Sequence, residues 1–152
     1  MEDMNSTSLR LRILPAVAIG IPLAIALSGC SVIDEVAHKM RTEHFATTAQ
    51  LADDWQGDAP WLPSDATDIR IRESTINDTA VLLATSDADL DPALCTPVSR
   101  QSAPAYSMDD APDVYAADEV YACGVWTVLA SDDGWYGWNP GHPDEQAQSP
   151  MP

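Results

Sequence analysis

Apolar residues change rhythm several times along this chain, and each rhythm predicts a different kind of segment. Ile13 to Ala26 is an almost unbroken apolar stretch, preceded by polar residues that end with Arg10 and Arg12. Val32, Ile33, Val36, Ala37 and Met40 then recur at helical spacing, which predicts a helix or a semi-ordered stalk over 31–42. Phe45, Ala49, Leu51, Ala52 and Trp55 predict a second helix from Glu43 to Trp55, stopped by Gly57 and Pro60. Pro60-Trp61-Leu62-Pro63 reads as a rigid entry loop. Ile69-Arg70-Ile71-Arg72 alternates like a half-buried strand, and the continuous run Ala80 to Thr85 suits an interior strand paired with it through a turn at Asn77-Asp78. Ser86 can cap a short helix over Asp87 to Leu94, with acids in its first turn.

Pro97, Pro104 and Pro112 set among Ser, Ala and Asp predict a loop over 97–118. Val120 to Ala130 is the strongest strand signal, with a bulge expected at Gly124. Asp132-Asp133-Gly134 is a hairpin turn, and Trp135 to Trp138 returns as the partner strand. Beyond Asn139 the prolines Pro140, Pro143, Pro150 and Pro152, with Gln and Asp, predict a disordered tail. The order of elements implies a small α+β domain over residues 43–139: an antiparallel sheet with helices on one face, and a tail over 140–152.

Charge narrows the range of partners. The net charge is -17, and removing residues 1–29 leaves that balance unchanged, because Glu2 and Asp3 go with Arg10 and Arg12. So acidic a surface repels nucleic-acid phosphate, and no basic stripe offsets it. It repels anionic headgroups as well, so any membrane attachment has to be hydrophobic.

Such an attachment is written at the N-terminus. A short positive region, an apolar region and small residues at a cut site make up a secretory signal peptide. The Ile13–Ala26 run is shorter than the about 20 residues a spanning helix needs, and Pro15 and Pro22 interrupt it. Leu27-Ser28-Gly29-Cys30 resembles the lipobox of bacterial lipoproteins: an aliphatic residue, two small ones, then cysteine. That resemblance implies a diacylglyceryl thioether on Cys30, cleavage before it to leave a signal peptide of residues 1–29, and possible N-acylation of the new terminus. A second acyl chain turns marginal binding into stable anchoring. The competing readings are an ordinary signal peptide with a chance cysteine and an uncleaved anchor. The stretch from Trp55 to Trp138 resembles small uncharacterised actinobacterial lipoproteins in Trp61-Leu62-Pro63, Ala66-Thr67-Asp68-Ile69, a later cysteine pair and Asp133-Gly134-Trp135. The single lysine, Lys39, amid abundant Ala and Asp fits a high-GC genome of that kind. Neither resemblance brings an activity with it.

If Cys30 carries lipid, Cys95 and Cys123 remain. In an oxidising exported space they are expected to form a disulfide, worth about 3–4 kcal/mol for a loop of this length in the chain-entropy view. Two buried free thiols are the alternative.

Few residues suggest chemistry. Trp126, Trp135, Tyr136 and Trp138 cluster on one hairpin; they read either as sheet core or as a platform for stacking on cell-wall sugars. Asp87, Asp89 and Asp91 begin like a calcium loop, but Pro92 and Val98 stand where Gly and Glu are required. His38, His44 and His142 are scattered and form no zinc spacing. No Gly-x-Ser-x-Gly elbow occurs. The expectation is therefore a non-catalytic lipoprotein, without metal or cofactor beyond the covalent diacylglycerol. It would sit on the extracytoplasmic face of the cell membrane and bind an envelope protein or cell-wall partner. The alternative is a small wall-carbohydrate-binding or wall-hydrolysing module that uses the aromatic hairpin.

Overall fold

The computed structural model describes residues 39–151. The expected signal peptide, the lipobox-like motif and Cys30 lie outside that range, as do residues 30–38 of the expected stalk. Seven strands make one antiparallel sheet: β1 (Met40–Thr47), β2 (Thr67–Ser74), β3 (Ala80–Thr85), β4 (Thr96–Ser99), β5 (Glu119–Cys123), β6 (Trp126–Ser131) and β7 (Gly134–Asn139). They lie in the order β1-β2-β3-β7-β6-β5-β4. Two short helices accompany them, α1 (Thr48–Asp54) and α2 (Pro143–Gln146), together with a turn of 3-10 helix at Val114–Ala116.

The sheet is buried on both faces, which explains the continuous apolar run of β3. Ala80, Leu82 and Ala84 point to one face, with Phe45, Trp61, Ile69, Ile71, Trp126 and Val128. Val81 and Leu83 point to the other, with Val98, Val120, Tyr136 and Trp138. The first face is covered by α1, the 55–66 loop and the segment carrying Leu90 and Cys95. The second is covered by the loop holding Ala103, Tyr106, Met108 and Val114.

Several expectations hold. β2 and β3 pair antiparallel, with Ile71 opposite Leu82. The Asp132-Asp133 turn closes a tight hairpin in which Ser131 faces Gly134. Gly134 is required there, since a Cβ would run into the Ala84 carbonyl.

Other expectations are corrected. The helix predicted over 43–55 is a strand as far as Thr47. Arg41 lies opposite Glu73 and Phe45 opposite Ile69, so a long neighbouring strand outweighs a weak helical pattern. The helix begins only where the Thr47 hydroxyl accepts from the Gln50 N–H at 3.3 Å. Residues 40–42, expected in the stalk, belong to the same strand. The expected helix over 87–94 is a set of turns: Pro92 brings no N–H, and Asp91 closes its own turn by accepting from the N–H of Ala93 at 2.8 Å.

Residues 97–99, expected as loop, belong to the edge strand Thr96–Ser99, where Pro97 is tolerated because only one side is paired. The single strand over 120–130 is two strands. Gly124, at φ 65°, makes a hairpin turn with Val125 and not a bulge. The helices do not share one face: α1 packs with the first core, while α2 is tied to Thr127, whose neighbour across the sheet is Trp138 of the second core. Residues 140–151, expected as disordered tail, are packed against the body, and Glu145 there is 0% exposed. The ordered body thus runs past the expected 43–139 at both ends.

Candidate functional site

The sheet has two chemically unlike ends. One end gathers the start of β1, the β2–β3 turn, the β5–β6 turn and the end of β7, as the registers Met40–Ser74, Ala80–Asn139 and Cys123–Trp126 require. A hollow of about 900 Å³ opens here, with Arg41, Trp55, Glu73, Asn77, Val125 and Gln146 in its walls. Its polar groups hold one another. Trp55 Nε1 donates to Glu73 Oε2 at 2.9 Å, Arg41 Nε donates to Glu73 Oε1 at 3.1 Å, and Arg41 Nε lies 3.3 Å from Glu43 Oε2. Trp126 forms part of the inner wall, its Nε1 donating to the Asp58 carbonyl at 2.9 Å. The walls are thus polar and carry indole rings, with Glu73 already engaged by Arg41 and Trp55.

The opposite end is acidic. Asp87, Asp89, Asp132 and Asp133 line one hollow of about 390 Å³. Asp68, Asp110, Asp132 and Asp133 line another of about 270 Å³, with Arg70 between them. Just inside, the Ser86 hydroxyl donates to Asp65 at 2.6 Å; that bond, against a smaller opposing effect of burial, holds the Asp65 carboxyl below the usual range. No group of carboxylates, histidines or cysteines among the described residues is arranged to hold a metal.

No family model matches the chain, and no curated protein or solved structure matches it.

Trp126 is 2% exposed, Tyr136 1% and Trp138 1%. Trp126 lies in the first core and Tyr136 and Trp138 in the second, so the sheet separates them and they make no common platform. Trp126 packs between Trp55 and Trp61, at ring-centre distances of 6.5 and 5.9 Å. Burial pushes the Tyr136 phenol up to about 12. Only Trp135 is half-exposed, and it stands edge-on to Tyr121 at 5.7 Å while donating to the Ala88 carbonyl. Cys95 and Cys123 meet at disulfide distance, with Cα atoms 4.3 Å apart. His44 contacts Asp68 at 2.7 Å on the surface, and His142 caps α2 by accepting from the Asp144 N–H at 3.2 Å; His38 lies outside the described residues.

Sequence reasoning missed Glu145. Its carboxylate accepts from Ser102 Oγ at 2.5 Å, Thr127 Oγ1 at 2.6 Å, and the N–H groups of Gln101, Ser102 and His142 at 2.5, 2.9 and 2.9 Å. Trp138 Nε1 donates to Ser102 Oγ at 2.9 Å. An indole can only donate, so the Ser102 proton is directed to Glu145. Burial by itself would raise this carboxyl; the donors outweigh it and hold it below its ordinary value. This is a fastening, closed on every side. Its one sequence signal is the helix start His142-Pro143-Asp144-Glu145, where Glu145 completes a capping box.

Proposed function

We propose that this chain is a lipid-anchored, extracytoplasmic lipoprotein whose folded body binds or presents a surface and catalyses no reaction. The observation that carries the reading is Leu27-Ser28-Gly29-Cys30 directly after the apolar run Ile13–Ala26. One further observation supports it: the remaining cysteines, Cys95 and Cys123, lie at bonding distance, as suits an oxidising compartment. No helix among the described residues is long and apolar enough to cross a membrane. From Cys30 to the start of β1 at Met40 the chain spans at most roughly 35 Å when fully extended, so the body stands close to the bilayer.

Charge supports the binding role, and the buried Glu145 carboxylate is fully occupied by its own donors. A net charge of -17 favours a basic partner, with attraction that weakens as salt screens charges beyond about 8 Å. The wall-carbohydrate alternative loses its aromatic platform to the core.

Mass spectrometry of protein from the producing cell's envelope tests the reading. The mature chain should begin at Cys30 and carry a diacylglyceryl group, and Cys30→Ala should release the protein or leave it unprocessed. A mature pool that retains residues 1–29, or that bears no lipid, would overturn it. Turnover of ester or glycoside substrates that is lost on a single carboxylate substitution would overturn the non-catalytic part.

A further inference from the structure

The anchor and the two-ended sheet together set an orientation. β1 enters the body at Met40, and the Lys39 carbonyl accepts from the Thr75 N–H at 2.9 Å, so the incoming chain is tied to the β2–β3 turn. At the tip of that turn stands Ile76, 66% exposed; on the neighbouring β5–β6 turn stands Val125, 53% exposed. These are two of the three large apolar side chains that stay exposed among the described residues, and both turns border the same hollow. A short tether to a lipidated Cys30 therefore draws toward the membrane the end of the sheet that carries exposed apolar tips.

Charge points the same way. The end bearing the tips holds the only lysine, Lys39, and Arg41, which engages Glu43 and Glu73; Asp58 and Asp78 are the other carboxylates that line its hollow. The far end carries Asp68, Asp87, Asp89, Asp110, Asp132 and Asp133 around its two hollows, against the single cation Arg70, which engages Asp68 and Asp110. An anionic leaflet repels the far end more strongly, and its field fades within a Debye length.

We propose that the β2–β3 and β5–β6 turns form a second membrane contact, in which Ile76 and Val125 dip into the lipid interface while the acidic end points away from the bilayer. Apolar side chains at such a boundary gain by leaving water without needing charge attraction, which suits an acidic protein. Asp58 and Asp78 stay at headgroup level, in water. The inference rests on the lipid-anchor reading. It adds that the body is held in one orientation and does not tumble freely on its tether, which leaves the Asp132-Asp133 end as the face a basic partner meets.

The experiment uses the full lipidated chain in phosphatidylcholine vesicles containing some phosphatidylglycerol and a bromolipid quencher. A fluorophore is placed in turn at Ile76→Cys, Val125→Cys and, as reference, Asp132→Cys. All three are surface turn positions, and the melting temperature of each variant is checked against the parent. The Ile76 and Val125 labels should be quenched several-fold more than the Asp132 label, and the double variant Ile76→Asp/Val125→Asp, labelled at Asn77→Cys, should lose quenching relative to Asn77→Cys alone. Equal quenching at both ends in protein whose mass shows lipid on Cys30 would overturn the orientation and leave the anchor standing. Lack of lipid on Cys30 in the same sample would overturn both.

Discussion

Replacing Glu145 should destabilise the body more than any other surface-distant polar change, because five donors converge on one carboxylate. A donor left buried without an acceptor costs about 1–3 kcal/mol. Adding five such terms for Glu145→Ala would approach the whole stability of a small domain, about 5–15 kcal/mol, so the protein must find a cheaper response. Letting residues 140–151 come away from the sheet provides it, since Gln101, Ser102 and Thr127 then reach water. The loss is bounded by the free energy with which that segment docks. Its other attachments are few: Gly124 N–H to Ser149 Oγ, Gly141 N–H to the Val125 carbonyl, and Met151 against the first core.

The resulting estimate is about 3–5 kcal/mol for the alanine variant, comparable to breaking a buried ion pair. At about 4 °C per kcal/mol for a body of this size, the melting temperature should fall by roughly 10–20 °C. Glu145→Gln keeps the volume and an oxygen for the Gln101 and Ser102 N–H groups, while hydroxyls can turn to accept. It still sets an amide NH2 against the His142 N–H and removes the charge, so a smaller loss of about 1–3 kcal/mol is expected.

Acid should erase the difference. The folded carboxyl lies below its ordinary value of 4.5, so its contribution is complete above that pH and disappears as pH falls through the folded value. Thermal melts followed by circular dichroism, from neutral pH into acid, should show the wild-type and Gln curves converging. A Gln variant that melts with wild type at neutral pH, or a gap that widens in acid, would refute the reasoning.

Two further outcomes follow from the core. Reducing Cys95–Cys123, which closes a loop of sequence separation 28, should lower the melting temperature by roughly 12–16 °C, about 3–4 kcal/mol in the chain-entropy view; quantitative labelling of both thiols in native exported protein would count against the bridge. Tyr136, pushed up to about 12 by burial, keeps its proton in the folded state where an unfolded chain has already lost it, so stability should decline as pH rises from about 10 toward 12, and Tyr136→Phe should flatten that decline in alkaline melts.

Where period and turn chemistry were strong, the sequence alone determined the structure. The alternation of Ile69-Arg70-Ile71-Arg72, the unbroken apolar run of β3 and the Asp-Asp-Gly turn made three central strands legible, because each needs only its neighbour in the chain to be understood. The likeness of Leu27-Ser28-Gly29-Cys30 to a lipobox likewise rests on local residue types alone. Tertiary structure decided the rest. Glu43 to Thr47 joined the sheet because β2 offered a partner of full length, and seven backbone pairings outweigh a helical spacing of five apolar residues. Thr96–Ser99 became a strand for the same reason, with Tyr121 and Val120 opposite. The aromatic hairpin could not be assigned from spacing, because alternation puts neighbours on opposite faces without telling whether either face is covered; the 100–118 loop and α1 cover both. The final residues look soluble and structureless on composition, being rich in Pro and Gln. They are ordered because Glu145 finds donors from segments 18 to 44 residues away, and a meeting of that kind is created only when the chain folds.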